Sequence, residues 1–424
     1  MENGAIPLAA DVAIVGERIA EIGDVAPRPG DRVIDAAGCA VLPGFVQTHV
    51  HLCQTLFRGL ADDLRLLDWL RFKIWPFEAA HTPASLRASA RLGIGELLRG
   101  GTTTILDMGT VRHTGVLFET AAESGIRYLG GKCMMDDPSA HPGLREGTDD
   151  SLSEAAELAR TWNGRAGGRI RYAWAPRFAL SCTANLLAGV RERRAGLLVH
   201  THAAEQVDEV AEVLRLRGAR NVTYFDQLGL TGERLCLAHC VHLDEAEIDT
   251  LSRTGTRVLH CPSANLKLGS GLADVARLKR SGVQVSLGAD GAPCNNRLDQ
   301  FAEMRAAALV AAVASGPGAL TATEVLRLAT RAGAEALGLA TVGSLTPGWQ
   351  ADLQVISLAG LHLQPDLAPL ASRLVYAATP ADVRDVFVAG RQVVAGHRLL
   401  VWPEAQITAE ASAEVTALAA RTGV

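Results

Sequence analysis

The stretch LPGFVQTHVHL, Leu42 to Leu52, runs from an apolar segment straight into two histidines at alternate positions. Successive side chains of an extended strand point to opposite faces, so His49 and His51 share a face at the strand's end. Packing gives no reason to pair two imidazoles there. A metal ion does, because each ring supplies one lone pair. Enzymes built on parallel barrels carry their chemistry where strands finish, so this stretch predicts the first strand of such a barrel and one wall of its site.

Working outward, short β-branched or apolar runs alternate with amphipathic stretches of helical period, the pattern of repeated βα units. After LPGFVQTH (Leu42 to His49) come TTTILDM (Thr102 to Met108), IRYLGGKCM (Ile126 to Met134) and RIRYAWAP (Arg169 to Pro176). GLLVHTH (Gly196 to His202), RLCLAHC (Arg234 to Cys240), TRVLHC (Thr256 to Cys261) and VQVSLGAD (Val283 to Asp290) complete the set. Eight parallel strands close a TIM barrel. TPASLRASARLGIGELLRGG reads as a helix opened by Pro83 and ended by Gly100-Gly101, and NRLDQFAEMRAAALVAAV as the helix after the last strand. Long loops are expected at Cys53 to His81 and Asp136 to Asp150, lengths that on a barrel usually serve the site.

Outside the barrel, DVAIVGERIAEIGD (Asp11 to Asp24) reads as a hairpin, and GSLTPGWQADLQVIS and VRDVFVAGRQVVAGH as further strands with glycine turns. The expected fold is therefore α/β, a distorted TIM (β/α)8 barrel over residues 42–340. A small β-sandwich is expected from both chain termini, residues 1–41 and 341–424, with TAEASAEVTALAARTG as a terminal helix with an exposed end. The opening MENGAIPLAADVAIVG is short, which predicts a sandwich lacking one edge strand.

The 424 residues are 48% hydrophobic and 4% aromatic, with 42 glycines, the composition of an enzyme-like chain with a large core. Lys+Arg 41 against Asp+Glu 46 leaves a net charge of -5, without the basic footprint that nucleic-acid binding requires. RERRAG (Arg191 to Gly196) reads as a solvated helix end. The eight cysteines lack any CxxC pair and read as buried structural thiols in a reducing compartment; Cys236 and Cys240 flank His239 as packing residues. No apolar run approaches the roughly 18 residues of a membrane span, and the first residues lack the basic region and apolar core expected of a signal peptide. The expectation is a cytoplasmic protein with a small-molecule partner and neither nucleic-acid nor membrane binding.

Strand ends select among the twelve histidines. HTHAAE ends the fifth strand: His200 and His202 share a face, His202 lies nearer the mouth, and Glu205 follows by three residues. AHC places His239 at the end of the sixth strand and GADGAP places Asp290 at the end of the eighth. Four separate strand ends thus carry imidazole or carboxylate groups.

With LPGFVQTHVHL, HTHAAE, LAHCVHL, CPSANLKLGSG and LGADGAPCNN together, nearly the whole chain resembles the amidohydrolase superfamily, in its chlorohydrolase/deaminase branch with a mononuclear metal site. That resemblance implies metal ligands His49, His51, His202 and Asp290, with Glu205 as proton shuttle and His239 beside the attacking oxygen. Catalysis would then rest on Glu205, His239 and Asp290. One divalent cation per subunit is implied, zinc first, with iron(II) or manganese(II) also suited to three nitrogens and one oxygen; a homodimer is implied as well. The donor types fit the chemistry independently, since such a cation lowers the pKa of bound water to about 7 and one carboxylate can then move the proton. Two-metal relatives use a carbamylated lysine at the end of the fourth strand; YAWAPRF has none there, and Lys132 on the third strand reads as a barrel-lining or loop contact.

For substrate, SANLKLGSG, GAPCNNRLDQFAEMR and QTLFRGLADDLRLLDWL resemble methylthioadenosine/S-adenosylhomocysteine deaminases, whereas GKCMMD and APRFALSC resemble guanine deaminases, whose PRF arginine contacts the base. Arg177 departs from the histidine common in the adenosine type. It reads either as a substrate contact or as a structural salt bridge. Gln54 reads as a ring-edge contact or a polar loop contact. Trp75, with Trp69 and Phe57, reads as stacking on a planar ring or as buried in its own loop. Arg145 lies where the adenosine type places an arginine for a distal carboxylate. Hydrolytic deamination of an aminopurine is the leading expectation. Triazine dechlorination or amine displacement is the alternative within the branch, and a non-catalytic metal-containing binding protein is the alternative outside it.

Overall fold

Strands that are apolar on both faces must be covered on both faces, and here every residue of Phe45–Val50 and of Thr102–Thr110 is buried. The structure, a computed structural model, describes residues 8–423. Its strands are β1 (Asp11–Val15), β2 (Arg18–Gly23), β3 (Cys39–Pro43), β4 (Phe45–Val50), β5 (Thr102–Thr110), β6 (Arg127–Met134), β7 (Ile170–Pro176) and β8 (Leu198–Ala203). They continue as β9 (Leu235–His239), β10 (Arg257–His260), β11 (Val285–Leu287), β12 (Leu353–Ser357), β13 (Val383–Val388), β14 (Arg391–Ala395) and β15 (Arg398–Leu399). Strands β4 to β11 form one sheet in sequence order with parallel pairing throughout. Asp290 N–H donates to the His49 carbonyl at 2.9 Å, and Val50 pairs with Asp290, which brings the last strand beside the first. The eight strands expected from sequence are these eight, except that the first starts at Phe45: Leu42 and Pro43 belong to β3 and pair with β12 in the other sheet. The fold is a TIM barrel.

Inside the barrel, Val46, Leu106, Leu129, Leu198 and Leu259 pack against Leu337 and Leu339, which close the end opposite the histidines. Cys236 belongs to this layer, and all eight cysteines are free; seven are buried as expected, whereas Cys39 is only half-buried. Lys132 is wholly buried on β6 and bonds the Val111 carbonyl, Glu146 at 2.9 Å and Glu154 at 2.7 Å. It is a loop contact.

The second unit is a five-stranded antiparallel sheet in the order β15-β14-β13-β12-β3, with the β1-β2 hairpin against its outer face. Leu353, Val355 and Phe387 pack on Val12, Ile14 and Val41 between the two layers. Both ends of the chain thus build the sandwich. Within the opening segment, residues 1–7 lie outside the described residues, as does the question of a further edge strand. Asp352 joins sandwich to barrel: Arg127, on β6, donates to its two carboxylate oxygens at 2.8 and 3.2 Å, both side chains being buried. The terminal helix Glu404–Thr422 lies on the barrel helix Pro83–Arg99, with Ile407 near Gly95 and Arg99 paired to Glu404 at 2.6 Å.

One expectation fails. The segment Cys53 to His81 is a run of helical turns, Leu52–Phe57, Leu66–Trp69, Leu70–Ile74 and Trp75–Ala79. Leu66, Trp69, Leu70, Ile74 and Phe77 are buried at helical spacing, a period that length alone does not reveal. The other expected loop is one from Asp136 to Gly147, after which a helix starts at Thr148. The helix after the last strand starts at Gln300, where the Asp299 side chain accepts from Phe301 and Ala302 N–H. Arg191 to Gly196 ends a helix at the surface, as expected.

Candidate active site

Strand β4 delivers His49 and His51 to the barrel mouth, β8 delivers His202, β9 ends on His239, and Asp290 follows β11 by three residues. His49 Nε2 and His51 Nε2 lie 3.2 and 3.3 Å from Asp290 Oδ1, and His51 Nε2 lies 3.2 Å from His202 Nε2. Donors about 2.0 to 2.1 Å from a tetrahedral cation sit about 3.3 Å from each other, so the spacing fits one ion. Other details agree. Apart from that approach to Asp290, the buried His49 Nε2 has no hydrogen-bond partner among the described residues, and the candidate ligand atoms of His49, His202 and His239 also lie within 4.8 Å of one another.

Electrostatics favours the ligating forms. Burial holds the imidazoles of His51 and His202 well below their usual range and that of His49 below it, so they are neutral with lone pairs available. Burial would raise Asp290, but the facing His49, His239 and His51 outweigh it and keep the carboxylate ionised. His202 Nδ1–H donates to the Arg177 carbonyl at 2.6 Å, which leaves its Nε2 facing the cluster. His49 Nδ1 lies 2.7 Å from Nε2 of His200, one alternation deeper on β8.

Glu205 Oε2 is 3.5 Å from His239 Nε2, and burial pushes the Glu205 carboxyl up to about 7. For His239, burial opposes the charged form, yet Glu205 and Asp290 prevail and raise its pKa. His239 Nδ1–H donates to Asn265 Oδ1 at 2.8 Å, so Nε2 faces Glu205. Behind Glu205, its backbone N–H donates to Glu209 Oε2 at 3.1 Å, and Asn221 holds the other oxygen of that buried carboxylate. Ala204, His239 and Asp290 have φ of +51°, +73° and +65°. Such non-glycine conformations cost of the order of 1–3 kcal/mol each, and they gather at this mouth.

A cavity opens onto these groups. Gln54 and Arg177 form its polar wall, and Leu66, Trp69, Leu70 and Phe178 its apolar one. Arg177 is also ion-paired: its guanidinium lies 2.6 Å from Glu78, both side chains being 4% exposed. Glu78 accepts from Gln54 Nε2 at 2.8 Å as well, which turns Gln54 Oε1, without a partner among the described residues, away from it. A Cβ on Gly291 would sit 2.1 Å from that oxygen, so only glycine leaves it room.

Of the residues singled out from sequence, His49, His51, His202, Glu205, His239 and Asp290 come together, and Gln54 and Arg177 join the cavity wall. Trp75 is buried but does not line the cavity; Trp69 does, on the helical face of Leu66 and Leu70. Arg145 is exposed and donates to the Pro138 carbonyl at 3.4 Å, away from the cavity. Glu78, Glu209 and the contact of His200 escaped the sequence reading. Glu78 lies in the helix Trp75–Ala79, where apolar spacing and not segment length is the signal, and Glu209 follows Glu205 by four residues.

The amidohydrolase family profile matches residues 40–393. The chain belongs to the amidohydrolase family. It is 40% identical over 410 residues to a 5-methylthioadenosine/S-adenosylhomocysteine deaminase of Pelotomaculum thermopropionicum, covering 95% of this chain and 92% of that one. Among solved structures, an adenosine deaminase from Xanthomonas campestris with bound zinc superposes with a TM-score of 0.90 at 33% identity, over 97% of this chain and 94% of that one. Guanine deaminase of E. coli superposes with a TM-score of 0.85 at 31% identity, over 91% and 92%. This amidohydrolase is accordingly a hydrolase of carbon–nitrogen bonds in cyclic amidines.

Proposed function

We propose that the protein hydrolyses the exocyclic amino group of an aminopurine and releases ammonia, using one zinc ion per subunit held by His49, His51, His202 and Asp290. The observation that carries this is the convergence of three imidazole Nε2 atoms and one carboxylate oxygen beside the Glu205–His239 pair, at the floor of a cavity. When bound, the cation supplies a Lewis acid that lowers the pKa of water to about 7. Glu205, its pKa raised to about 7, would take one proton from the attacking water and pass it to a ring nitrogen, then take the second from the newly added hydroxyl and deliver it to the amine, which leaves as ammonia as the C–N bond breaks and the C=O forms. His239, held by Asn265, stabilises the oxygen as charge develops. Gln54 and Arg177 contact the heterocycle, and Trp69, Leu66 and Phe178 cover its faces.

An adenine nucleoside is the first substrate reading, supported by the methylthioadenosine/S-adenosylhomocysteine deaminase at 40% identity. A guanine-type base is the second, favoured by Arg177 in the cavity wall. Ammonia release from 5'-methylthioadenosine, S-adenosylhomocysteine, adenosine, guanine and an aminotriazine, with Glu205→Gln as control, tests both. Turnover of one purine that the control lacks supports the proposal. Chloride release from a chlorotriazine without ammonia from any purine would replace it with dechlorination. Silence with metal bound would favour the non-catalytic alternative. We also take the protein to act as a cytoplasmic homodimer, which light scattering on the purified protein checks for the subunit count.

A further inference from the structure

We infer that His200 is a positioning residue that fixes the tautomer and orientation of His49 for the metal. This rests on the proposed reading that a divalent cation occupies the cluster. Both rings are fully buried, and His49 Nδ1 lies 2.7 Å from His200 Nε2. At that distance one of the two nitrogens carries the proton. If His200 Nε2 carried it, His49 would have to be protonated at Nε2, and its lone pair would point at His200 rather than into the cluster. With the proton on His49 Nδ1, the Nε2 lone pair faces the point that His51, His202 and Asp290 also face. His200 Nε2 must then be the acceptor, and the His200 proton sits on Nδ1.

That nitrogen is buried and has no hydrogen-bond partner among the described residues. The pairing with His49 is then the one side-chain hydrogen bond that His200 makes among the described residues. The strand geometry supplies the reason for its place. Residues two apart on β8 share a face, so one strand sends His202 to the ion and His200, one layer deeper, to the back of His49. His202 is held in the same sense by the Arg177 carbonyl, so two of the three imidazoles have an acceptor behind them.

The test compares the full-length protein with His200→Leu, which keeps bulk without an acceptor, and His200→Gln, whose amide oxygen can accept. Each is stripped of metal and titrated with zinc against a chromophoric chelator. Visible absorption is recorded with cobalt(II), and the metal-free melting temperature is measured. The expected result is a zinc affinity about 10- to 100-fold weaker in His200→Leu with a changed cobalt spectrum, recovery in His200→Gln, and equal metal-free melting of the two variants. Unchanged affinity and spectrum in His200→Leu would overturn the inference, as would an equal loss in both variants, which marks a packing role. Should His200→Leu not fold, His200→Ala against His200→Gln makes the same comparison. Failure of the unmodified protein to bind zinc would instead remove the metal reading itself.

Discussion

Glu205 and Glu78 are both buried carboxylates beside one cavity, yet their surroundings give them opposite tasks. Burial raises Glu205 to about 7, against the opposing pull of His239 and Arg177. It can therefore exchange a proton at neutral pH. A base must be ionised to accept a proton, so kcat/KM is expected to fall as pH drops through about 7, read from a pH–rate profile of the metal-loaded enzyme. Glu205→Gln is expected to lower kcat by about 10²- to 10⁴-fold with metal content unchanged, read by turnover and metal analysis. Glu78 is committed to Arg177 and Gln54. Its replacement by alanine strands a buried guanidinium and frees the Gln54 amide to flip. Glu78→Ala is expected to cost about 3–5 kcal/mol in denaturant unfolding and to raise KM more than it lowers kcat.

At the scale of elements, the site depends on how closely strand ends approach one another. Gly288, just past β11, lies against β4: a Cβ there would meet His49 N at 2.6 Å and His49 O at 2.7 Å. These are backbone atoms and cannot step aside. Gly288→Ala is expected to displace β4, lowering both the bound metal per chain and the melting temperature, whereas a change at solvent-facing Gly115, which has nothing within 4 Å, leaves both unaltered. The strand-end histidines were legible because a period of two and a strand terminus are local properties. The helical run after His51 was legible in its apolar spacing but was read by length. Trp75 and Trp69 show the consequence, since only the phase of that helix against the barrel decides which indole meets the cavity.

Across the whole molecule, the barrel carries the candidate site, and several polar contacts fasten the sandwich and the terminal helix to it, Arg127 to Asp352 and Arg99 to Glu404 among them. The Arg127–Asp352 pair is nearly inaccessible, and Asp352 also accepts from Ala389 N–H at 2.6 Å. Asp352→Ala leaves Arg127 buried and unpaired. It is expected to destabilise the protein by about 3–5 kcal/mol by denaturant unfolding while the metal affinity stays near that of the unmodified protein, because the pair lies at the opposite end of the barrel from the ligands.

The sequence by itself determined the eight strands and the sandwich from both termini, through apolar runs and alternation along a strand, and it placed His49, His51, His202, His239 and Asp290 where strands stop. The roles proposed for them and for Glu205 came from the family resemblance and not from local patterning. Only the tertiary structure decided that Arg177 is both cavity wall and ion pair, since its partner Glu78 is 99 residues away. It likewise decided that His200 stands behind His49, 151 residues distant, and that Arg145 faces solvent. Contacts of that kind depend on which faces of separate elements meet when the barrel closes, and no local pattern encodes that.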